Sequence, residues 1–536
     1  MPVPVVRRRG PSAAVIRSLL AAVLVLAAVL TFVLIRDGGD GPSAPAAAAQ
    51  GKGSAGASPA TPPRPALTPT ADWHAVSPAG TSIEGFASRT SVLPDGSVEL
   101  RVNATASAFS VSAFRMGSYG GQQAALAWKG GPFPAVAQPA AVELPETRTM
   151  TAPWQPTATV TATGWPPGAY LLRLEGADGA QSYVPLTVRS PKGAGRIVLL
   201  QAVTTWQAYN SWGGTSLYHG SDHRGGESRA YAVSFDRPYN EEQGSGDFLG
   251  NDLPLVTFAE GLGIPLGYAT DVDLHDDPHL LDGALAVVSP GHDEYYSTAM
   301  RDGLTRARDF GTNVFFLGAN AVYRHIRMSD TSVGPNRLET DYKDAGLDPL
   351  TRTDPGESTP QWRSAPLNRP ESDLVGGYYR CNPGQAPLVV APKLSWLTEG
   401  LGLAPGQKLG TIVGPEYDRV DLAVPTPHPL QVIFHSPIHC TGQGGIDDAS
   451  DVTYYTTASG AAVFDSGTSK WECALDDQAC QPGWGDPATF QVVREVTRRL
   501  LVAAADGPIG RTHPAQDTTG GPAGPDDGIS GISGPG

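Results

Sequence analysis

An apolar run at residues 284–289 leads into Gly291-His292-Asp293-Glu294-Tyr295-Tyr296. A helical pattern follows over 297–310, then a second apolar stretch ending in Gly318-Ala319-Asn320. This reads as strand, loop, helix, strand. The two strands of such a unit run parallel, so their C-terminal ends share one sheet edge, where open α/β sheets bind ligands. A histidine, two carboxylates and an asparagine therefore arrive side by side by topology alone. This pattern predicts a parallel sheet and a site at its edge.

Other segments point to the same edge. The apolar run 197–203 enters an aromatic- and glycine-rich stretch, Thr204 to Gly214, which reads as a loop and contains Tyr209. A strand over 265–269 runs into Thr270-Asp271-Val272-Asp273. Between them, Ser234-Phe235-Asp236-Arg237-Pro238-Tyr239 lies in a long connection, a place where function concentrates. Two chemistries fit. Glu294 could be a metal ligand with Tyr209 and Tyr239 as phenolates, a hard anionic donor set suited to Fe³⁺. Alternatively, His292 and Glu294 form a metal-free acid–base pair. The His-x-Glu spacing is not that of HExxH zinc proteases. Simpler roles stand beside these: tyrosines that only pack, a His292 that orders its loop, Asp293 and Glu294 at a helix start, and Asn320 as a turn residue. No GxSxG elbow, GxGxxG or Walker pattern is present, which argues against a serine hydrolase and a nucleotide cofactor.

The chain has 536 residues, too many for one core, and its formal charge of −15 with no basic–aromatic tract argues against nucleic-acid binding. Arg7-Arg8-Arg9 precedes an apolar segment at 19–35. That marks an export signal or, at this length, an uncleaved membrane anchor. Residues 1–36 are thus expected to be a signal-anchor, placing the body outside the cell membrane, or secreted if the segment is cleaved. Residues 37–72, poor in large apolar side chains, read as a disordered stalk. The even set Cys381, Cys440, Cys473 and Cys480 suggests two disulfides in an oxidising compartment, Cys473–Cys480 as the local pair and Cys381–Cys440 as the remainder.

Short alternating segments between turns predict an Ig-like β-sandwich over 73–190. Alternating strands and helices predict an α/β domain with a mostly parallel sheet over 195–505, closed by an amphipathic helix at 487–504. A Gly/Pro-rich disordered tail is expected over 506–536.

The chain resembles the large (beta) subunit family of N,N-dimethylformamidase. The resemblance rests on Thr205-Trp206-Gln207-Ala208-Tyr209-Asn210-Ser211-Trp212-Gly213-Gly214 with Ser216-Leu217-Tyr218, on Ser234 to Tyr239, on Gly291 to Ser297, on Phe316 to Asn320 and on Gly414-Pro415-Glu416-Tyr417-Asp418-Arg419. Ile83 to Ser88 and Phe114 to Gly121 extend it, so that it spans 80–505. It implies a mononuclear Fe³⁺ held by Tyr209, Tyr239 and Glu294, with Tyr218 the competitor for the second tyrosine. His292, Asn320 and Glu416 are implied as catalytic residues, the reaction being hydrolysis of a small carboxamide. The family also implies a small partner subunit; a homo-oligomer is a further expectation. The alternative is an extracellular ligand- or carbohydrate-binding protein that kept the fold without catalysis.

Overall fold

The computed structural model describes residues 67–76, 82–220, 226–477 and 479–520. The chain mixes several β-sheets with a few helices. Its centre is a seven-stranded sheet. In spatial order the strands are Leu266–Thr270, Ile197–Gln201, Ala286–Ser289, Asn313–Phe316, Ala462–Asp465, Ile446–Thr456 and Leu430–Cys440. The first five pair in parallel and the last two join antiparallel. Residues of Ile197–Gln201, Ala286–Ser289 and Asn313–Phe316 are buried throughout, as expected for strands covered on both faces.

The helix after the Ala286–Ser289 strand is Thr298–Asp309. It starts at Ser297, whose hydroxyl accepts the Met300 N–H. Tyr295 and Tyr296 lie before that cap and pair in parallel with Arg324 and His325. Asp293 and Glu294 therefore do not open the helix; they sit between two strand segments.

Two further expectations change. Residues 203–209 are not loop: Val203–Tyr209 is a helix, buried along nearly its whole length. Aromatic and small residues there pack rather than turn. Thr270 likewise ends its strand by capping Asp271–Asp276, with Thr270 and Asp273 exchanging bonds.

N-terminal to this sheet lie a six-stranded sheet and a three-stranded antiparallel sheet, Ile83–Ala87, Ser97–Ala104 and Ala158–Thr161. Their inward residues, among them Ile83, Leu100, Val111, Val160, Leu172 and Leu186, form one core. The hairpin Gly168–Gly176 with Gln181–Val188 is antiparallel. The expected stalk does not run to residue 72: Thr68–Thr70 pairs with Leu126 to Ala124. Nor is the tail free of structure from 506. Ile509–Arg511 is a helical turn, and the Thr518 N–H donates to the Leu430 carbonyl. Among the described residues no helix is long and apolar enough to cross a membrane; the apolar run 19–35 lies outside them.

Both cysteine pairs are formed, Cys381–Cys440 across 59 residues and Cys473–Cys480 across 7. Thiol titration of unfolded, unreduced protein should find no free thiol. Replacing Cys381 and Cys440 by serine should cost about 4 kcal/mol in urea unfolding, the chain-entropy value for a loop of that length. A loss below about 1 kcal/mol would show that neighbouring packing, not the bond, holds this segment.

His325 gives a second test. Its ring is fully buried, with Nδ1 2.6 Å from the Ser358 carbonyl and Nε2 3.0 Å from the Thr298 hydroxyl. Burial pulls its pKa down to about 4. Because the folded value lies below the unfolded one, protonation favours the unfolded chain. The contribution of His325 is complete above pH 6.5 and is lost, by roughly 3 kcal/mol, as pH drops to about 4. The change in urea-unfolding stability between pH 7 and pH 4 should be less favourable in the parent than in His325→Asn by about that amount.

Candidate active site

Two loops at the C-terminal edge of the sheet are sewn together by their backbones. The Val322 N–H donates to the Asp293 carbonyl (3.0 Å), and the Tyr323 and Arg324 N–H groups both donate to the Glu294 carbonyl (2.9 Å each). Gly318 passes so close to Gly291 that any Cβ would collide with its carbonyl. Asn320 and Val322 hold positive φ values of 62° and 55°. A β-branched residue is rarely found there and is kept only by surroundings that over-determine it.

This seam aims Asp293 and Glu294 in different directions. Asp293 accepts the hydroxyls of Ser289 and Tyr296 within the core, and burial pushes its carboxyl up to about 6. Glu294, its backbone N–H on the Thr205 hydroxyl at 3.0 Å, turns to the tyrosines. Oε2 accepts the hydroxyls of Tyr209 at 2.9 Å and Tyr218 at 3.0 Å, and Oε1 lies 3.5 Å from the Arg324 guanidinium. The two phenol rings stack at 4.3 Å. Tyr209 ends the helix Val203–Tyr209. Tyr218 returns beside it because the Leu217 N–H closes the intervening loop on the Ala208 carbonyl at 3.0 Å.

Tyr239, expected beside Tyr209 and Glu294, does not meet that carboxylate. Its ring meets Trp206 edge-on at 6.3 Å, and the charges around its hydroxyl are Asp271, Arg337, Glu339 and Arg237. The cause is Arg237. Its buried guanidinium donates to the carbonyls of Asn210, Trp212 and Thr215, fastening the Arg-Pro-Tyr segment outside the loop that carries Tyr218. The second phenol on Glu294 Oε2 is that of Tyr218.

Of the remaining expected residues, His292 and Glu416 join the cluster. His292 Nε2 stands 3.7 Å from Glu294 Oε2 and 3.4 Å from Glu416 Oε2, with no hydrogen-bond partner of its own. Glu416 Oε1 takes Asn382 Nδ2 at 3.1 Å and the Tyr379 hydroxyl at 3.3 Å. Burial raises its pKa, opposed by His292. Asn320 is buried in the adjoining loop, its side-chain Oδ1 without a partner.

Three residues escaped the sequence reading. The Tyr295 hydroxyl donates to that of Tyr218 at 2.6 Å. Lys343 donates to Tyr295 at 2.9 Å and lies 3.2 Å over the Tyr218 ring. Arg324 completes the set. Tyr295 stands inside the His-Asp-Glu motif and was open to inference; Lys343 is 49 positions beyond Glu294, with no motif around it. Burial, followed by the Arg324 charge, pulls Lys343 down to about 7.

The residues fit a trivalent cation. Burial and the Glu294 charge hold Tyr209 and Tyr218 well above the usual phenol range, so both stay protonated with their hydrogens on one carboxylate oxygen. A cation among those oxygens would replace both protons and convert the phenols to anionic ligands. Among the described residues no group of three or more His, Cys, Asp and Glu side chains forms a metal site, so any ion here depends on the tyrosines.

No curated protein matches the chain. A family model described as N,N-dimethylformamidase beta subunit-like, C-terminal, matches residues 110–484, from within the six-stranded sheet to the segment before the last long helix. That span contains every residue of the cluster and covers well over half of the chain; the protein belongs to the N,N-dimethylformamidase beta subunit-like family.

Proposed function

We propose that this protein is an exported, metal-dependent amidohydrolase resembling N,N-dimethylformamidase, hydrolysing a small carboxamide or another C–N bond. The observation that carries the reading is the convergence of the Tyr209 and Tyr218 hydroxyls on Glu294 Oε2. Two phenolates and a carboxylate are hard anionic oxygen donors whose summed charge balances Fe³⁺. Bound there, the ion would supply Lewis acidity toward the amide oxygen or acidify a water.

The chain's own groups divide the remaining work. His292 accepts a proton from the attacking water and returns it to the departing nitrogen, a role supported by its Nε2 lying without a hydrogen bond between Glu294 and Glu416. Glu416, raised by burial, exchanges that proton with His292 and is itself steadied by Asn382 and Tyr379. Asn320 orients the substrate amide. Arg324 and Lys343 offset the negative charge that Glu294 and the tyrosines concentrate at the site. Export is read from the N-terminal apolar segment together with two disulfides. The N-terminal sheets are read as an Ig-like sandwich and the region from 195 as an α/β body, from their shared core and parallel registers respectively.

Purified protein with iron bound should be coloured by phenolate-to-Fe³⁺ charge transfer. Tyr209→Phe and Tyr218→Phe should each lose the band and most of the iron, whereas Tyr239→Phe should keep both. Activity on a panel of formamides and acetamides should follow iron content. Colourless, iron-free protein that hydrolyses these amides would remove the metal from the reading.

Roles separate in a second pair of variants. His292→Ala should retain iron and melting temperature while turnover falls by roughly 10²–10⁴. Glu294→Ala should lose iron and activity together. Equal iron loss in both would make His292 a ligand.

A further inference from the structure

Asn320 is held in a conformation that few residues other than glycine adopt, with φ at 62°. Its backbone N–H meets both carboxylate oxygens of Asp418, Oδ1 at 2.9 Å and Oδ2 at 3.2 Å. Asp418 is almost fully buried, on the short strand Tyr417–Arg419 that begins next to Glu416. One strand therefore touches two arms of the site, through Glu416 beside His292 and through Asp418 beneath Asn320. The carboxyl of Asp465, fully buried at the end of Ala462–Asp465, stands behind Asp418. Gly377 lies against both: a Cβ there would collide with Asp465 Oδ2 and come within 3.0 Å of Asp418 Cβ. These carboxyls leave no room for a side chain between them and the neighbouring strand.

We infer that Asp418 is a positioning residue, whose carboxylate fixes the backbone of Asn320 and thereby sets where the Asn320 amide meets substrate. The role rests on the amidohydrolase reading for its catalytic half and on hydrogen-bond geometry for its structural half. The groups facing Asp418 are Arg363, Glu416 and Asp465, with Asp451 and the Gly467 N–H beyond on Asp465. Burial pushes Asp418 up to about 7, against the pull of the Asn320 N–H. Asp465, raised well above the carboxyl range by burial and by Asp418, stays neutral. The charged carboxylate grips an N–H more strongly than the acid does, so the hold on Asn320 tightens as pH rises through about 7. A misplacement of about 1 Å at a reacting group costs on the order of 10² in rate.

The test uses Asp418→Ala and, should that variant not fold, Asp418→Asn. Crystal structures should show Asn320 out of the left-handed conformation in Asp418→Ala. The value of kcat should drop about 10²-fold, while iron content and the charge-transfer band stay as in the parent. Asp418→Asn should lose less, because its amide oxygen still accepts the N–H, and its pH–kcat profile should lack the parent's ionisation near 7. An unchanged Asn320 backbone, or parental kcat in Asp418→Ala, overturns the inference. If the parent hydrolyses no amide at all, the amidohydrolase reading fails, and the Asn320 backbone in these variants still decides whether Asp418 positions it.

Discussion

Three backbone hydrogen bonds between the loop after Ala286–Ser289 and the loop after Asn313–Phe316 underlie everything else at the site. They use the Asp293 and Glu294 carbonyls as acceptors, so the direction of the Glu294 side chain is set by main chain rather than by the groups it meets. Those bonds form only because the two loops approach to a distance that Gly318 alone permits. Backbone strain at Asn320 and Val322 is the cost of that approach. The sheet beneath supplies the rigidity that keeps such strain from relaxing.

Much of this was legible because topology is legible. A buried strand, a capped helix and a second buried strand require parallel ends, and parallel ends bring His292, Glu294 and Asn320 to one edge. What could not be read was the path of the chain where no periodicity constrains it. Tyr218 and Tyr239 both follow Tyr209 in irregular sequence, and spacing alone favours neither. Which hydroxyl reaches Glu294 depends on a single loop closure from Leu217 to Ala208 and on Arg237 binding three carbonyls. The helix Val203–Tyr209 was missed for a related reason: it is buried on nearly all sides and so shows no amphipathic stripe. Lys343 and Asp418 act from segments far from the seam, and nothing in their local sequence marks the partner they reach.

The site also illustrates how a protein keeps many ionisable groups out of water. Glu294, Tyr209, Tyr218 and Tyr295 share a short chain of hydrogen bonds, with Arg324 at one end and Lys343 at the other. Each hydroxyl of the chain is satisfied by its neighbour and Arg324 stands against the carboxylate, so burial does not leave an isolated charge. His292 stands beside this chain rather than in it. Its Nε2 accepts or donates no hydrogen bond within the protein, although two carboxylates stand within 3.7 Å.

The C-terminal tail covers a sheet margin. Leu430–Cys440 is the last strand of the seven-stranded sheet, and such a margin offers bare amides and carbonyls to any passing chain. Here Thr518 occupies that margin twice, its N–H on the Leu430 carbonyl and its hydroxyl under the Val432 N–H at 2.9 Å. Isolated bridges to Phe434 from Val390 and to Cys440 from Gly384 cover the rest. Residues that read as spacer thus act as a selvedge. A chain stopped at Ala505 would keep every group of the candidate site and would expose a ready template for strand-to-strand association between molecules.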